Sequence, residues 1–136
     1  MYSMKETCTI LNVSYETLKF YCKEGLVPNV ARNASNHRVF DEANLAWLQG
    51  IMILRKCGMS LKDMKTYLEH CLIGQETIPE RKIMLELVEQ ELHKRRIEIE
   101  DCLNYIDNKQ NFYDKILNGE LEYISNLIKT KKEKVS

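Results

Sequence analysis

Apolar positions fall into helical spacing along most of this 136-residue chain, and the interruptions are short. Ser3 with Glu6 three residues on fits a capping box, which predicts a short helix running to about residue 11. Asn12 and Val13 then make a turn, and Ser14 is placed to accept a hydrogen bond from the first-turn amides of a second helix. Leu18, Tyr21 and Cys22 recur at i, i+3 and i+4 and give that helix one apolar face. Tyr15, Thr17, Lys19 and Lys23 fall on its other side, and Gly25 closes it by taking the left-handed conformation. Two short helices joined by a tight turn, the second polar outside, make a helix-turn-helix whose second helix has the character of a recognition helix.

After Gly25 the pattern changes. Residues 26–30 read as extended, because Pro28 disfavours helix at Val27 and donates no amide hydrogen bond. Residues 32–36 form a polar turn and 38–40 are extended again, with Val39 and Phe40 on opposite faces. The result is a small two-stranded wing that needs the helices to pack on. Asp41 caps a helix over about 42–57, where Leu45, Trp47, Leu48, Ile51, Met52 and Leu54 make a broad apolar surface ended by Gly58. Ser60 and Asp63 open another over about 61–72. Thr77 with Glu80 fits a third capping box, with Pro79 in the first turn where its missing amide is not needed, and launches a helix over about 78–108.

In that last helix Leu85, Leu92, Ile99 and Ile106 recur every seven residues. Val88 and Cys102 hold the companion seam positions, which Arg95 interrupts once. Such a helix cannot bury its seam alone and calls for a second one, most economically from another copy of the chain. A hairpin with residues 112–117 of the same chain would cover only part of it. The apolar and aromatic tail, 111–132, reads as two short helical segments about Gly119, and 129–136 as frayed and solvated. The fold expected is all-α dominated. A winged helix-turn-helix unit spans 1–74, a long dimerisation helix 75–110, and a short C-terminal helical tail 111–136.

Composition narrows the class of function. The hydrophobic fraction of 44% and charged fraction of 29% are those of a soluble globular protein. No apolar run approaches the ~18 residues needed to span a bilayer, and MYSMKE lacks the apolar stretch of a signal peptide. A cytoplasmic protein with no membrane partner is expected. The net charge of zero hides a small asymmetry: 7 Lys and Arg against 5 Asp and Glu in residues 1–60, but 13 against 15 in 61–136. A mildly basic N-terminal part agrees with nucleic-acid binding. The five cysteines are widely spaced, no C-x-x-C occurs, and the three histidines complete no zinc pattern with them. They are expected as reduced, half-buried thiols, with no metal and no cofactor. No nucleophile–base pair or phosphate-binding loop appears, so the chain does not read as an enzyme.

The order of features, carried by T-L-K-F-Y at 17–21, K-E-G-L-V-P at 23–28, N-x-R-x-F at 36–40 and L-R-K-C-G-M-S-L-K-D-M at 54–64, resembles the MerR family of bacterial transcription regulators. The motif match covers residues 1–72, and beyond them the likeness is one of architecture. The family usually has arginine-tyrosine-tyrosine where this chain has Lys19, Phe20 and Tyr21, and tyrosine in place of Phe40. Lysine cannot make arginine's forked contact, which shifts the expected contact of Lys19 from a base to a phosphate. The resemblance implies a homodimer with an antiparallel coiled coil, binding palindromic double-stranded promoter DNA alongside RNA polymerase. Bending and untwisting of an over-long promoter spacer would control transcription in answer to a small-molecule inducer or stress signal.

By the same resemblance Ser14, Tyr15, Thr17 and Lys19 lie along the major groove. Tyr21 places its phenol at the groove edge, with core packing as its alternative role. Arg38 in the wing contacts phosphate or the minor groove, and Asn36 and His37, like Asn33, shape the turn with incidental backbone contacts. Metal-sensing branches of the family place cysteines at the start of the dimer helix and just after it, and this chain has neither. Cys57, Cys71 and Cys102 stand as candidates for redox or electrophile sensing, Cys57 because Arg55 and Lys56 precede it. A large sensor domain finds no room in this length, so a ligand is expected between coiled coil and tail. The alternative function is a coiled-coil adaptor that keeps the fold without specific DNA binding.

Overall fold

Side-chain caps set most of the helix boundaries in the computed structural model, which describes residues 1–128. Ser3 Oγ accepts from the Glu6 amide while the Glu6 carboxylate accepts from the Ser3 amide, both at 3.1 Å, and this box starts α1 (Met4–Leu11). Those bonds hold the Glu6 carboxyl below its usual range. Asn12 ends α1 in the left-handed conformation, with φ of 54°. Ser14 Oγ accepts from the Thr17 amide at 3.1 Å and starts α2 (Tyr15–Lys23). Beyond α2, Gly25 takes φ of 71°, the Leu26 amide bonds the Tyr21 carbonyl at 3.0 Å and the Gly25 amide that of Cys22 at 3.2 Å. These two bonds satisfy carbonyls that the helix end would otherwise leave open. Asp41 and Asn44 form a second reciprocal box at the start of α3 (Glu42–Lys56), and Ser60 caps α4 (Leu61–Ile73).

The wing is a three-stranded antiparallel sheet with β3 (Arg38–Phe40) between β1 (Tyr2–Ser3) and β2 (Ala31–Arg32). Tyr2 pairs with Phe40 and Ser3 with Val39 on one side; Ala31 pairs with Val39 and Arg32 with Arg38 on the other. This corrects the two-stranded expectation, since the residues ahead of α1 supply the third strand. Residues 26–30 are also not extended. They bend and turn through Asn29, at φ of 60°, because α3 claims their carbonyls. Trp47 Nε1 donates to Leu26 O at 2.6 Å and Asn44 Nδ2 to Pro28 O at 2.9 Å. Lys65 on α4 reaches Glu24, the residue after α2, at 2.9 Å. Leu18, Leu26, Phe40, Leu48, Ile51 and Met64 form the fully buried centre, so α2 shares its core with α3 and α4.

A 3-10 turn (Gln75–Thr77) follows α4, and α5 runs Ile78–Leu117, 40 residues. Thr77 does not form the expected capping box. Its hydroxyl turns back to the carbonyl oxygens of His70 and Gly74, 2.5 and 2.8 Å away, and accepts from Arg81 Nε at 3.1 Å. Gly74, at φ of 117°, ends α4 with its amide bonded to the His70 carbonyl at 3.2 Å. The C-terminal expectation is corrected too. Residues 109–117 continue α5 instead of forming a separate helix, Gly119 ends the run at φ of 85°, and no helix follows among the described residues. That continuity removes the hairpin with 112–117. The expectation for 129–136 lies outside the described residues.

The chain divides into two compact units, Met1–Leu92 and one beginning at His93. In the first, Val88 packs against the core and Leu85 is partly exposed. In the second, Ile99 and Ile106 are 58% and 52% exposed, and the rings of Phe112 and Tyr113 lie 5.9 Å apart beneath the Lys109 ammonium. Because the helix runs further than expected, the seven-residue rows extend to Tyr113 and Ile116. No helix among the described residues is long and apolar enough to cross a membrane.

Candidate nucleic-acid interface

The N-terminal residues of α1, the first residue of α2 and the wing enclose one cleft of roughly 350 Å³. Lys5, Tyr15, Arg32, Asn36, His37 and Arg38 line it, and no carboxylate among the described residues does. Its wing wall is built by local chemistry. Asn33 Oδ1 accepts from the amides of Ser35 and His37 at 3.0 Å each, and Asn36 takes φ of 60°, which closes the hairpin. Arg32 Nη1 donates to Asn36 O at 2.8 Å across that loop. Directly opposite on the next strand stands Arg38. Like charges facing each other on paired strands oppose folding, so this pairing suits an anion more than it suits the sheet. Burial pushes the Cys22 thiol upward, and Arg38 and then Arg32 pull it back, so their positive field extends behind the cleft.

On α2, Tyr15 is 52% exposed, and Lys19 lies four residues on along the same face, half-buried. Ser14 and Thr17 do not stand free for a ligand. Their hydroxyls are 2.9 Å apart, and Ser14 also carries the cap. Phe20 is 40% exposed and forms a shallow groove with Glu16, Thr17, Tyr21 and Arg55. Of the two roles expected for Tyr21, a phenol at the groove edge or core packing, the structure shows the packing. Only 4% exposed, it packs in the core, because it follows Leu18 by three residues on the buried face, and burial raises its pKa. The structure therefore joins Tyr15, Asn36, His37 and Arg38 in one cleft and places Tyr21 apart from it, in the core beneath the Phe20 groove.

Lys5, Arg32 and Arg55 are basic residues at this surface that the sequence reading passed over. Arg32 was legible in principle, since a hairpin folded about residues 34–36 brings positions 32 and 38 together. Lys5 was not, because only the added strand β1 brings the start of α1 beside the wing.

None of the five cysteines is in a disulfide. Cys57 caps α3, half-buried, and Cys102 is exposed on α5. Cys71 Sγ lies 3.9 Å from Arg81 Nη1 and beside the Tyr67 hydroxyl. These three thiols are on different elements. No group of three or more His, Cys, Asp or Glu among the described residues is arranged to hold a metal ion.

Residues 2–71 match the family described as MerR HTH family regulatory protein. An uncharacterised HTH-type transcriptional regulator of Haemophilus influenzae is 36% identical over 114 residues, 84% of this chain and 84% of its own. The HTH-type regulator YyaN of Bacillus subtilis is 25% identical over 134 residues, 90% and 97% of the two chains. Among solved structures, HiNmlR, a MerR family regulator lacking the sensor domain and bound to promoter DNA, superposes with a TM-score of 0.76 at 35% identity, over 87% of this chain and 94% of that one. A MerR family regulator from Listeria monocytogenes gives 0.78 at 29% identity, over 86% and 89%.

Proposed function

The chain belongs to the MerR family of helix-turn-helix regulatory proteins and is a transcription regulator of that type; from that premise we propose that it binds palindromic double-stranded promoter DNA as a homodimer. The observation that carries this reading is the carboxylate-free cleft in which α2 and the wing meet, with Lys5, Arg32 and Arg38 along it. Phosphate contacts orient a protein on the duplex, and base-edge contacts specify the sequence. The wing arginines supply the former, and Tyr15 and Lys19 on the exposed face of α2 enter the major groove. A MerR relative that covers most of this chain is bound to promoter DNA, which supports the same use of the same fold.

Dimerisation rests on the seam of α5, where Leu85, Leu92, Ile99 and Ile106 are exposed within a single chain. Two copies of α2 would then face successive major grooves of a palindrome. Regulation proceeds by distortion of the promoter spacer, read by RNA polymerase and set by a small-molecule or stress signal. Anisotropy titrations with the DNA upstream of the gene test the interface. Arg32→Ala and Arg38→Ala are expected to weaken binding, and each to reduce the slope of log K against log salt by about one. Unchanged affinity and slope in both variants would remove the wing from the interface.

A further inference from the structure

The outer surface of α2 carries two rows of side chains, and the wing cleft uses only one of them. Tyr15 and Lys19 form the first row, with Tyr15 in the cleft itself. Glu16 and Phe20 form the second, in the shallow groove of about 360 Å³ that they share with Thr17, Tyr21 and Arg55. Residues four apart stand one above the other on a helix, about 6 Å apart along its axis. Leu18 and Tyr21, at 0% and 4% exposure, already supply the buried face of α2, so packing within the chain does not call for an aromatic ring at position 20. The contact of Phe20 with the Tyr21 ring, at 5.9 Å and 88°, leaves it 40% exposed.

The side chains of this groove differ in what they can bind. Glu16 brings a carboxylate and Arg55 a guanidinium, and neither side chain has a hydrogen bond or ion pair among the described residues. A charge near the N-terminus of a helix accounts for a carboxylate in the first turn, but not for an exposed ring one turn on. Residues at the start of a recognition helix are the ones that reach base edges. There a carboxylate is repelled by the acceptors of guanine and thymine, whereas cytosine presents an amino donor alone. The adenine amino group stands beside the N7 acceptor, which makes it the poorer partner. An apolar ring finds its match in the thymine methyl group. A cation beside the carboxylate offsets its repulsion from the phosphates, and Arg55 supplies one.

We propose that Glu16 and Phe20 select the bases under α2, Glu16 accepting from a cytosine amino group and Phe20 covering a thymine methyl, with Arg55 on a flanking phosphate. Their spacing along the helix places the two bases within about two steps of each other in each half-site. The inference rests on the promoter-binding reading and adds to it which bases the helix chooses.

Anisotropy titrations of the full chain test this on the DNA upstream of the gene. Each base pair is exchanged in both half-sites together, and each thymine is replaced in turn by deoxyuracil, which lacks only the methyl group. The wild type is expected to lose about tenfold or more in affinity when the cytosine is exchanged. It is expected to lose about fourfold when the thymine under Phe20 becomes deoxyuracil. Glu16→Gln moves the preference at its position from cytosine to adenine, since an amide pairs with the adenine amino group and N7 together. Neither misfolding nor loss of a helix-end charge can produce that change of preference. Phe20→Ala binds the thymine and deoxyuracil duplexes alike and keeps the cytosine preference. If Glu16→Gln weakens binding to every duplex equally, Glu16 serves only the helix end and the proposal fails. It fails equally if Phe20→Ala still distinguishes thymine from deoxyuracil, or if the wild type distinguishes them nowhere. A wild type that binds a shuffled duplex as tightly as the upstream DNA overturns the promoter-binding reading itself.

Discussion

Thr7 is fully buried in α1, and its hydroxyl has no hydrogen-bond partner among the described residues. An orphaned buried hydroxyl costs on the order of 1–3 kcal/mol, whereas a methyl in the same place costs nothing in lost hydration. Thr7→Val is therefore expected to stabilise the protein by roughly 1 kcal/mol. The urea midpoint should rise with no change of slope, and an unchanged or lower midpoint would mean that the hydroxyl has a partner in solution. Thr7 shows what a sequence can and cannot reveal of one residue. Its place inside a helix is plain from the capping box before it, but the want of a partner depends on what surrounds it in space. Tyr21 is the same lesson at the candidate site. Its spacing from Leu18 puts it on the apolar face, and the structure packs it in the core.

Among elements, the helices were legible because their start signals are local. Ser3, Ser14, Asp41 and Ser60 each act on an amide three residues ahead, so the chemistry can be read without knowing the fold. Three of the misreadings involve partners further away. Strand β1 pairs with a strand 36 to 38 residues along the chain, residues 26–30 are shaped by side chains of α3, and the hydroxyl of Thr77 serves the end of α4. The joint between α4 and α5 is the one of these with a measurable strength. Arg81 spans it, donating from Nε to Thr77 and from Nη2 to Gly74 O at 2.6 Å. Thr77 is 7% exposed, so its bonds are sheltered from water. Thr77→Val keeps the shape and removes the hydroxyl, leaving Arg81 Nε without its acceptor. A loss of about 1–3 kcal/mol is expected, with amide exchange accelerating first around Gly74 and Thr77. Loss of stability without that local acceleration would place the damage elsewhere.

For the proposed homodimer as a whole, charge and symmetry act together. The surplus of basic residues lies in the first sixty and that of acidic residues in the remainder, so the DNA-facing part is favoured against phosphate and the long helix is not. A single winged unit with three cleft-lining cations has only modest purchase on DNA. Joining two units makes the second contact intramolecular, so that affinity depends on whether both half-sites can be reached at once. Half-sites on one face of the duplex recur at about 10–10.5 base pairs. Inserting about 5 base pairs at the centre of the palindrome turns one half-site to the opposite face and is expected to lower affinity to that of an isolated half-site. Anisotropy titrations with intact, inserted and half-site duplexes measure this at a fixed salt concentration. If the inserted duplex binds as tightly as the intact one, the two recognition helices are not held by a common dimer seam. A graded loss would instead place compliance at the joint where Thr77 and Arg81 tie α4 to α5.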